Sequence, residues 1–579
     1  MLYSDLCEYY EKIDSTPKRL TKIKYISELI NETNDENIEK VIFLLQGIVF
    51  PAWDERKLGV ASKIVIKSLK TSTGISTDQI EKEWQKTGDL GITAENIVKN
   101  KQQQSLFVSE LTIEKIFENL RKLAEMEGLG SVGKKDQIIS ELLTSAKPIE
   151  ARYIVRTVMG DLRVGSAQGT LRDAIIRTYF TEIYEKRENE EKEKFKEISE
   201  LVQNAYDLVN DFSVIISKIK EKGINGLKEV NLELFKPVNP MLFPKAVNIE
   251  KGFEMIGKPA IIEYKYDGFR VQIHKKNDEI KLFTRRLEDV TKQFPDIIAT
   301  IQENVDAVEC ILDAEVLGIE KKTGKILSFQ NISQRIRRKY DIHQIMKEIP
   351  VIIVIFDSIK YEGKSLLNTP FKERRNIINN IIKEKNNEIL KSTMIESSSI
   401  EESNAFYEKS LLLGNEGIMM KSLTPGYKPG ARIGYAVKVK PVLEPVDLII
   451  TKAEWGHGKR KGWFTSFSVS CKDESGNLMD LGKVGTGIKE LENEEGNATF
   501  ETFTNMLKPL ITKELNSYVE VKPEVIVEID YEEIQKSNNY NSGYALRFPR
   551  IKRIRNDIKE PSHIEDIKDI YEKQRGRDR

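Results

Sequence analysis

Cysteine is nearly absent. Cys7, Cys310 and Cys471 are the three among 579 residues, widely separated and with no CxxC pair. A four-cysteine zinc site is therefore excluded and a disulfide framework is not expected, which fits a reducing, cytoplasmic compartment. Four histidines argue against a histidine-rich catalytic metal site, so an essential metal is expected to be hard and held by carboxylates. Long apolar runs are missing too. The longest, VIIVIF at Val351–Phe356, falls far short of the ~20 residues of a membrane span, and no membrane partner is expected. The N-terminus MLYSDLCEYYEKI lacks a basic stretch followed by an apolar one, so no signal peptide is expected. Neither sign of charge is in excess, with Lys+Arg 91 against Asp+Glu 91. That excludes a polycation but leaves room for a local basic face. Gly 34 and Pro 18 are too few for a collagen-like or low-complexity chain. No GxxxxGK[ST] stretch occurs, so Walker-type ATP hydrolysis is not expected.

The chain does have enough apolar residues, 39%, for several cores, and its length predicts about three or four domains. The first ~235 residues read as helical, because apolar residues recur at spacings of three and four in VIFLLQGIVF, KIVIKSL and TIEKIFENLRKLAEM. Gly128–Lys135 reads as a break between helices, and Lys186–Glu200 as a solvated helix face with i,i+4 ion pairs. The proline-rich Pro237–Ala246 reads as a linker. From about 246 to 440, short strands alternate with helices. Beyond about 445 strands dominate, and a small barrel of the OB type is expected.

Four short stretches carry the chemistry. In Glu263-Tyr264-Lys265-Tyr266-Asp267-Gly268-Phe269-Arg270, strand alternation puts Glu263 and Lys265 on one face, and Asp267-Gly268 reads as a turn. Asp313 and Glu315 share a face inside an apolar strand, a costly placement unless they are paired or metal-bound. Glu416 precedes the apolar strand of Gly417-Ile418-Met419-Met420 and is a further candidate metal ligand. Lys438 and Lys440 share a face and repel each other unless an anion lies between them. Phe356 ends the most apolar strand. An amine near its ordinary pKa of about 10.4 is protonated at pH 7. Nearby cations and a metal ion are expected to lower it and free the lone pair, while carboxylates hold Mg²⁺ against phosphate oxygens. The set suits attack by Lys265 on the α-phosphate of a nucleotide, giving a lysyl–AMP phosphoramidate.

With these residues in view, the chain resembles the ATP-dependent DNA ligases, the archaeal ones most closely. Lys265-Tyr266-Asp267-Gly268 is similar to their KxDG motif. Thr284-Arg285-Arg286, Asp313-Ala314-Glu315, Phe356-Asp357, Glu416-Gly417 and Lys438/Lys440 follow in family order, and Phe50–Gly59 and Gly160–Ala174 resemble the helical DNA-binding part. The resemblance implies a multidomain fold: an all-α DNA-binding domain over 1–236, an α+β nucleotidyltransferase (adenylation) domain over 237–440, and a β-barrel OB-fold domain over 441–579. It implies ATP as AMP donor with Mg²⁺, and nicked double-stranded DNA sealed in replication, repair and recombination. Lys265 would be the adenylated residue. Glu263, Arg270, Arg285, Glu315, Phe356, Arg432 and Lys438 would contact ATP, with Lys440 on the phosphates and Glu315 and Glu416 on the metal. One departure is Ile558 after Arg555-Asn556-Asp557, where the family usually has Lys.

Holding a nick needs phosphate contacts without base readout. Arg163, Lys459, Arg460, Lys461 and the cluster Gln334–Lys339 are the candidates. Gln103, Leu106 and Phe107 are similar to the family's sliding-clamp motif, and also suit a loop pinned to its own domain. A monomer is expected, nucleoid-associated in a prokaryotic cell. Two other readings compete: an RNA ligase or capping-type guanylyltransferase, and a non-catalytic DNA-binding scaffold. The large helical part and the barrel favour DNA, the intact Lys265, Glu315, Glu416 and Lys438 set disfavours a scaffold, and three cysteines disfavour an NAD-dependent ligase.

Overall fold

The computed structural model describes the chain apart from residues 55, 102–108, 129, 189–190, 321–325, 328, 337, 339–340, 431–433, 442, 457–459, 461, 489–498, 516–517 and 575–579, and apart from the side chains of 329–331 and 573. From Tyr3 to Lys228 helix follows helix. Ile113–Glu125 shows why: Ile113, Ile116, Phe117, Leu120 and Leu123 fall on one buried stripe, and Thr112 Oγ1 accepts from the Lys115 N–H at 3.1 Å to start the helix. Two expectations shift here. Ser131–Ser145 is one helix, so the glycine-rich break ends at Gly130. The solvated helix starts at Lys192, and its Lys194–Glu191 pair is i,i+3.

Two sheets follow. One runs in the order Lys245–Ala246, Ala436–Val439, Gly417–Ser422, Ala260–Lys265, Met394–Ser397. The other contains Glu279–Thr284, Phe269–Lys276, Glu309–Ile319, Val351–Tyr361 and Lys364–Ser365 in that order, with two short strands beside it. We label the strands that carry the site β1 (Ala260–Lys265), β2 (Phe269–Lys276), β3 (Glu309–Ile319), β4 (Val351–Tyr361), β5 (Gly417–Ser422) and β6 (Ala436–Val439). The turn after β1 crosses from the first sheet to the second, so residues near 265–270 sit where the two sheets meet. The C-terminal region is an OB-type barrel. Val446–Trp455 pairs with Phe464–Lys472, Tyr518–Val521 and Ile526–Asp530, around a core that includes Phe464, Phe467, Val519 and Val527.

The helical core is continuous with Ile311, Ile359 and Tyr427 of the sheet region. The intervening segment is pinned from both sides. The Phe235 N–H donates to His274 Nδ1 at 3.0 Å and the Val238 N–H to Gln272 Oε1 at 2.9 Å. Asn239 Nδ2 donates to Asp207 Oδ1 at 2.8 Å. Burial, with Lys360 and Lys281 nearby, pushes His274 down to about 3, which keeps Nδ1 free to accept.

Candidate active site

Lys265 ends β1, and β5 lies antiparallel to it with Gly417 opposite Lys265. The register places Glu416 beside the lysine: its N–H donates to the Lys265 carbonyl at 2.8 Å, and its Oε2 lies 2.6 Å from Lys265 Nζ. Two glycines permit this crowding. A Cβ on Gly417, whose φ is +145°, would sit 2.2 Å from the Val439 carbonyl oxygen; one on Gly268 would sit 2.3 Å from that of Val316. Lys440 Nζ reaches the same Glu416 oxygen at 2.8 Å, and Glu532 of the barrel region at 3.6 Å. Glu416 thus lies between Lys265 and Lys440 and not between Lys438 and Lys440.

The expected lowering of the Lys265 pKa includes a bound metal ion; without one the balance of charges runs the other way. Burial works to lower the Lys265 pKa, but Glu416 and Glu315 outweigh it and hold the ammonium above its ordinary value. The carboxylates nearest the amine hold its proton on. Lys438 shifts the other way: burial first, then Lys440 and Lys265, lower it, with Arg285 adding in the same sense. Burial, reinforced by Glu416 and opposed by Lys265 and Arg270, pushes Glu315 up to about 8. Glu416 moves the other way: burial opposes its charge, yet Lys265 and Lys440 hold it well below the carboxylate range.

Arg270 on β2 is locked. Its Nη1 donates to the Met241 carbonyl at 2.9 Å and its Nη2 to the Tyr427 hydroxyl at 2.8 Å, and it pairs with Asp313 on β3. Tyr427 in turn donates to Asp313 Oδ2 at 2.8 Å. Burial disfavours the Arg270 charge, and Asp313 more than offsets it. Phe356 on β4 is half-buried, with the Arg270 guanidinium 5.4 Å and Lys421 Nζ 5.2 Å from its ring centre. Arg285 is exposed in the turn after Glu279–Thr284. Glu263, Lys265, Arg270, Glu315, Phe356, Glu416, Lys438 and Lys440 therefore gather around one region, with Arg285 at its edge. Arg432 lies outside the described residues.

The donor set fits Mg²⁺. Among the described residues no group of three His, Cys, Asp or Glu could hold a metal. Glu315 and Glu416 offer hard oxygen ligands, however, and Mg²⁺ is commonly held by one or two carboxylates together with phosphates and water.

The candidate DNA contacts fare unevenly. Arg163 is exposed, but it is paired with Asp89 at 3.1 Å and Asp161 at 2.5 Å. Within Gln334–Lys339, Arg335 is fully buried, paired with Asp296 and donating to the Gln293 and Ile349 carbonyls. It is a structural residue and not a DNA contact. Arg460 is exposed beside Phe500. Lys459, Lys461, Gln103, Leu106 and Phe107 lie outside the described residues. Sequence reasoning missed Tyr427, Lys421, Arg375 and Glu532. Lys421 is on the same alternation face of β5 as Met419, which register places opposite Glu263; no sequence signal pointed to the others.

Comparison with known proteins places these residues in context. Residues 240–440 match the family model described as ATP dependent DNA ligase domain, residues 2–176 that of DNA ligase N terminus, and residues 460–558 that of ATP dependent DNA ligase C terminal region. The chain is 44% identical over 579 residues to a DNA ligase of Nanoarchaeum equitans, covering 100% of this chain and 99% of the relative. It is 38% identical to a DNA ligase of Methanocaldococcus jannaschii, with 100% of each covered. The solved structure Pmar-Lig_PreS3 shares the fold, with a TM-score of 0.56 at 18% identity over 95% of this chain and 99% of that one.

Proposed function

Since the chain belongs to the ATP-dependent DNA ligases, we propose that its chemistry is carried by Lys265 and the groups around it. The enzyme seals nicks in duplex DNA in three steps, through a lysyl–AMP intermediate and an adenylated 5′-phosphate, in replication, repair and recombination. In our assignment the Lys265 lone pair attacks the α-phosphorus of ATP. A P–N bond forms, the Pα–O bond breaks, and pyrophosphate leaves with the electron pair. The proton held on Lys265 by Glu416 has to depart first, and Lys438 and Lys440 supply the positive charge that favours its loss. A 5′-phosphate oxygen then takes the AMP, breaking the P–N bond. Last, the 3′-hydroxyl attacks that phosphate and AMP leaves.

Glu263 and Phe356 take the base, the first as hydrogen-bond acceptor and the second by stacking. Arg270, Arg285, Arg432, Lys438 and Lys440 face phosphates or ribose, and Arg270 arrives already oriented by Asp313 and Tyr427. Glu315 and Glu416 would hold Mg²⁺, which when bound neutralises phosphate oxygens against the incoming nucleophile. The observation that carries this reading is the convergence of Lys265, Glu416 and Lys440 within 2.8 Å contacts at the join of two sheets.

The finer readings belong to the same proposal. The domains run 1–236, 237–440 and 441–579; the enzyme works as a monomer in the cytoplasm, at the nucleoid in a prokaryotic cell. Arg163, Lys459, Arg460 and Lys461 contact DNA phosphates, Arg163 after exchanging its present carboxylate partners. Gln103, Leu106 and Phe107 engage a sliding clamp, an idea that ends if Leu106→Ala with Phe107→Ala leaves clamp pull-down unchanged. The central experiment is incubation with α-labelled ATP. A covalent adduct is expected on the peptide containing Lys265 and is expected to vanish in Lys265→Ala; an adduct mapping elsewhere refutes the assignment.

A further inference from the structure

Two residues along β1 from Lys265 lies a second ionic group. Glu263 is 2% exposed. Lys421 Nζ stands 2.5 Å from its Oε2 and Arg375 Nη1 stands 3.8 Å from its Oε1. Register explains the first contact: Glu263 is opposite Met419 across the β1–β5 pair, and Lys421 is two residues further on, a diagonal neighbour on the same face. Arg375 arrives from the helix Phe371–Ile381, anchored through its Nη2 to the Ser392 carbonyl at 2.6 Å. The Lys421 ammonium lies 5.2 Å from the centre of the Phe356 ring and 4.4 Å from that of Phe371. The Phe356 ring and the Glu263 carboxylate thus both lie against the Lys421 ammonium.

The cluster is incompletely satisfied. Glu263 Oε1 and Arg375 Nη1 and Nε are buried without a hydrogen-bond partner. A carboxylate kept only to glue the fold would use both oxygens, because an unpaired buried acceptor costs about 1–3 kcal/mol. Oε1 faces the Arg375 Nη1 cation at 3.8 Å, too far for a hydrogen bond, and keeps its capacity to accept one, held in place through its neighbour.

We propose that Lys421 and Arg375 are positioning residues that fix Glu263 as the acceptor for the exocyclic amine of a 6-amino purine, so that the first step selects ATP over 6-oxo purine triphosphates. The inference rests on the assignment of Lys265 as the adenylated residue. A carboxylate can only accept. A 6-amino group donates to Oε1, whereas a 6-oxo group sets lone pairs against it. Sites built around such a contact discriminate by as much as about 10⁴-fold. Without Lys421 the carboxylate loses its anchor and can turn away, and the discrimination goes with it.

The test measures adduct formation on the full chain, by intact-protein mass spectrometry, with ATP, inosine triphosphate and purine riboside triphosphate, which carries neither amine nor oxo group. The wild-type chain is expected to prefer ATP to both. Lys421→Met is expected to narrow the ATP-to-inosine ratio of kcat/KM at least about tenfold, with Lys421→Arg restoring most of it. A merely structural role for Lys421 would slow all three nucleotides alike; an unchanged ratio overturns the proposal. Equal use of ATP and inosine triphosphate by the wild-type chain overturns it too, whether or not any variant folds. No adduct with any nucleotide would instead refute the assignment of Lys265, and the specificity inference with it.

Discussion

Replacing Glu416 by Gln tests the electrostatics of the site where the charges are closest. Glu416 Oε2 lies 2.6 Å from Lys265 Nζ and 2.8 Å from Lys440 Nζ, and Glu416 is the largest contributor holding the Lys265 pKa up against burial. An opposite charge at such range shifts a pKa by about 1–3 units, or about 1.4–4 kcal/mol at 1.36 kcal/mol per unit. With that charge gone, burial and Lys440, left with Glu532 alone at 3.6 Å, both push the Lys265 pKa down. Where the pH lies below both values, each unit of that shift raises the neutral fraction of Lys265 about tenfold. The assay is competitive labelling of amines in the metal-free, nucleotide-free protein between pH 7 and 10, read by peptide mass spectrometry with surface lysines as internal reference. The Glu416→Gln profile should be displaced to lower pH. A profile superimposable on that of the wild type would refute the reasoning, because the amine would then be governed by something other than its carboxylate neighbour.

Further outcomes follow from other buried charges. Asp357 and Arg374 are each about 2% exposed in their side chains and pair at 2.8 Å, so Asp357→Asn should lower stability to urea by about 3–5 kcal/mol. Burial opposes the Asp357 charge but Arg374 holds its pKa below the usual value; this stabilisation is present above about pH 4 and is lost as pH falls through the folded value, which acid melts of variant and wild type would show. Glu315, pushed up to about 8, carries the opposite sign: the unfolded chain ionises first, so the metal-free protein loses stability between about pH 4.5 and 8, by at most about 5 kcal/mol. Glu315→Gln should therefore melt with the wild type near pH 4 and above it at pH 8, and coincident melts at pH 8 would contradict the assignment. For DNA, Arg460→Ala should reduce the salt slope of nick binding by about one, whereas Arg335→Ala should leave that slope unchanged and lower the melting temperature.

Much was legible from local pattern. Apolar spacing of three and four identified the N-terminal helices, because a helix must bury one stripe whatever it packs against. Alternation identified the strands around Lys265, Glu315 and Lys438 and put Glu263 and Lys265 on one face, because successive side chains of a strand point to opposite sides. The proposed nucleophile and its carboxylates were picked out by residue type, since few side chains can attack phosphorus or hold a hard cation inside apolar strands. Tertiary structure decided how those groups are charged and partnered. The pairing of Gly417 with Lys265 brings Glu416 onto the amine and raises its pKa in the metal-free protein, a contact that the spacing of the residues did not reveal. Arg335 looked like a DNA contact within a basic run and lies buried against Asp296, because a charge run says nothing about which of its members faces solvent. Tyr427 and Arg375 lie more than a hundred residues along the chain from Arg270 and Glu263, which they meet, and Glu532 reaches the site from the bend between Ile526–Asp530 and Glu533–Lys536. Contacts of that kind are set by strand register and by the packing of separate units, which no local spacing encodes.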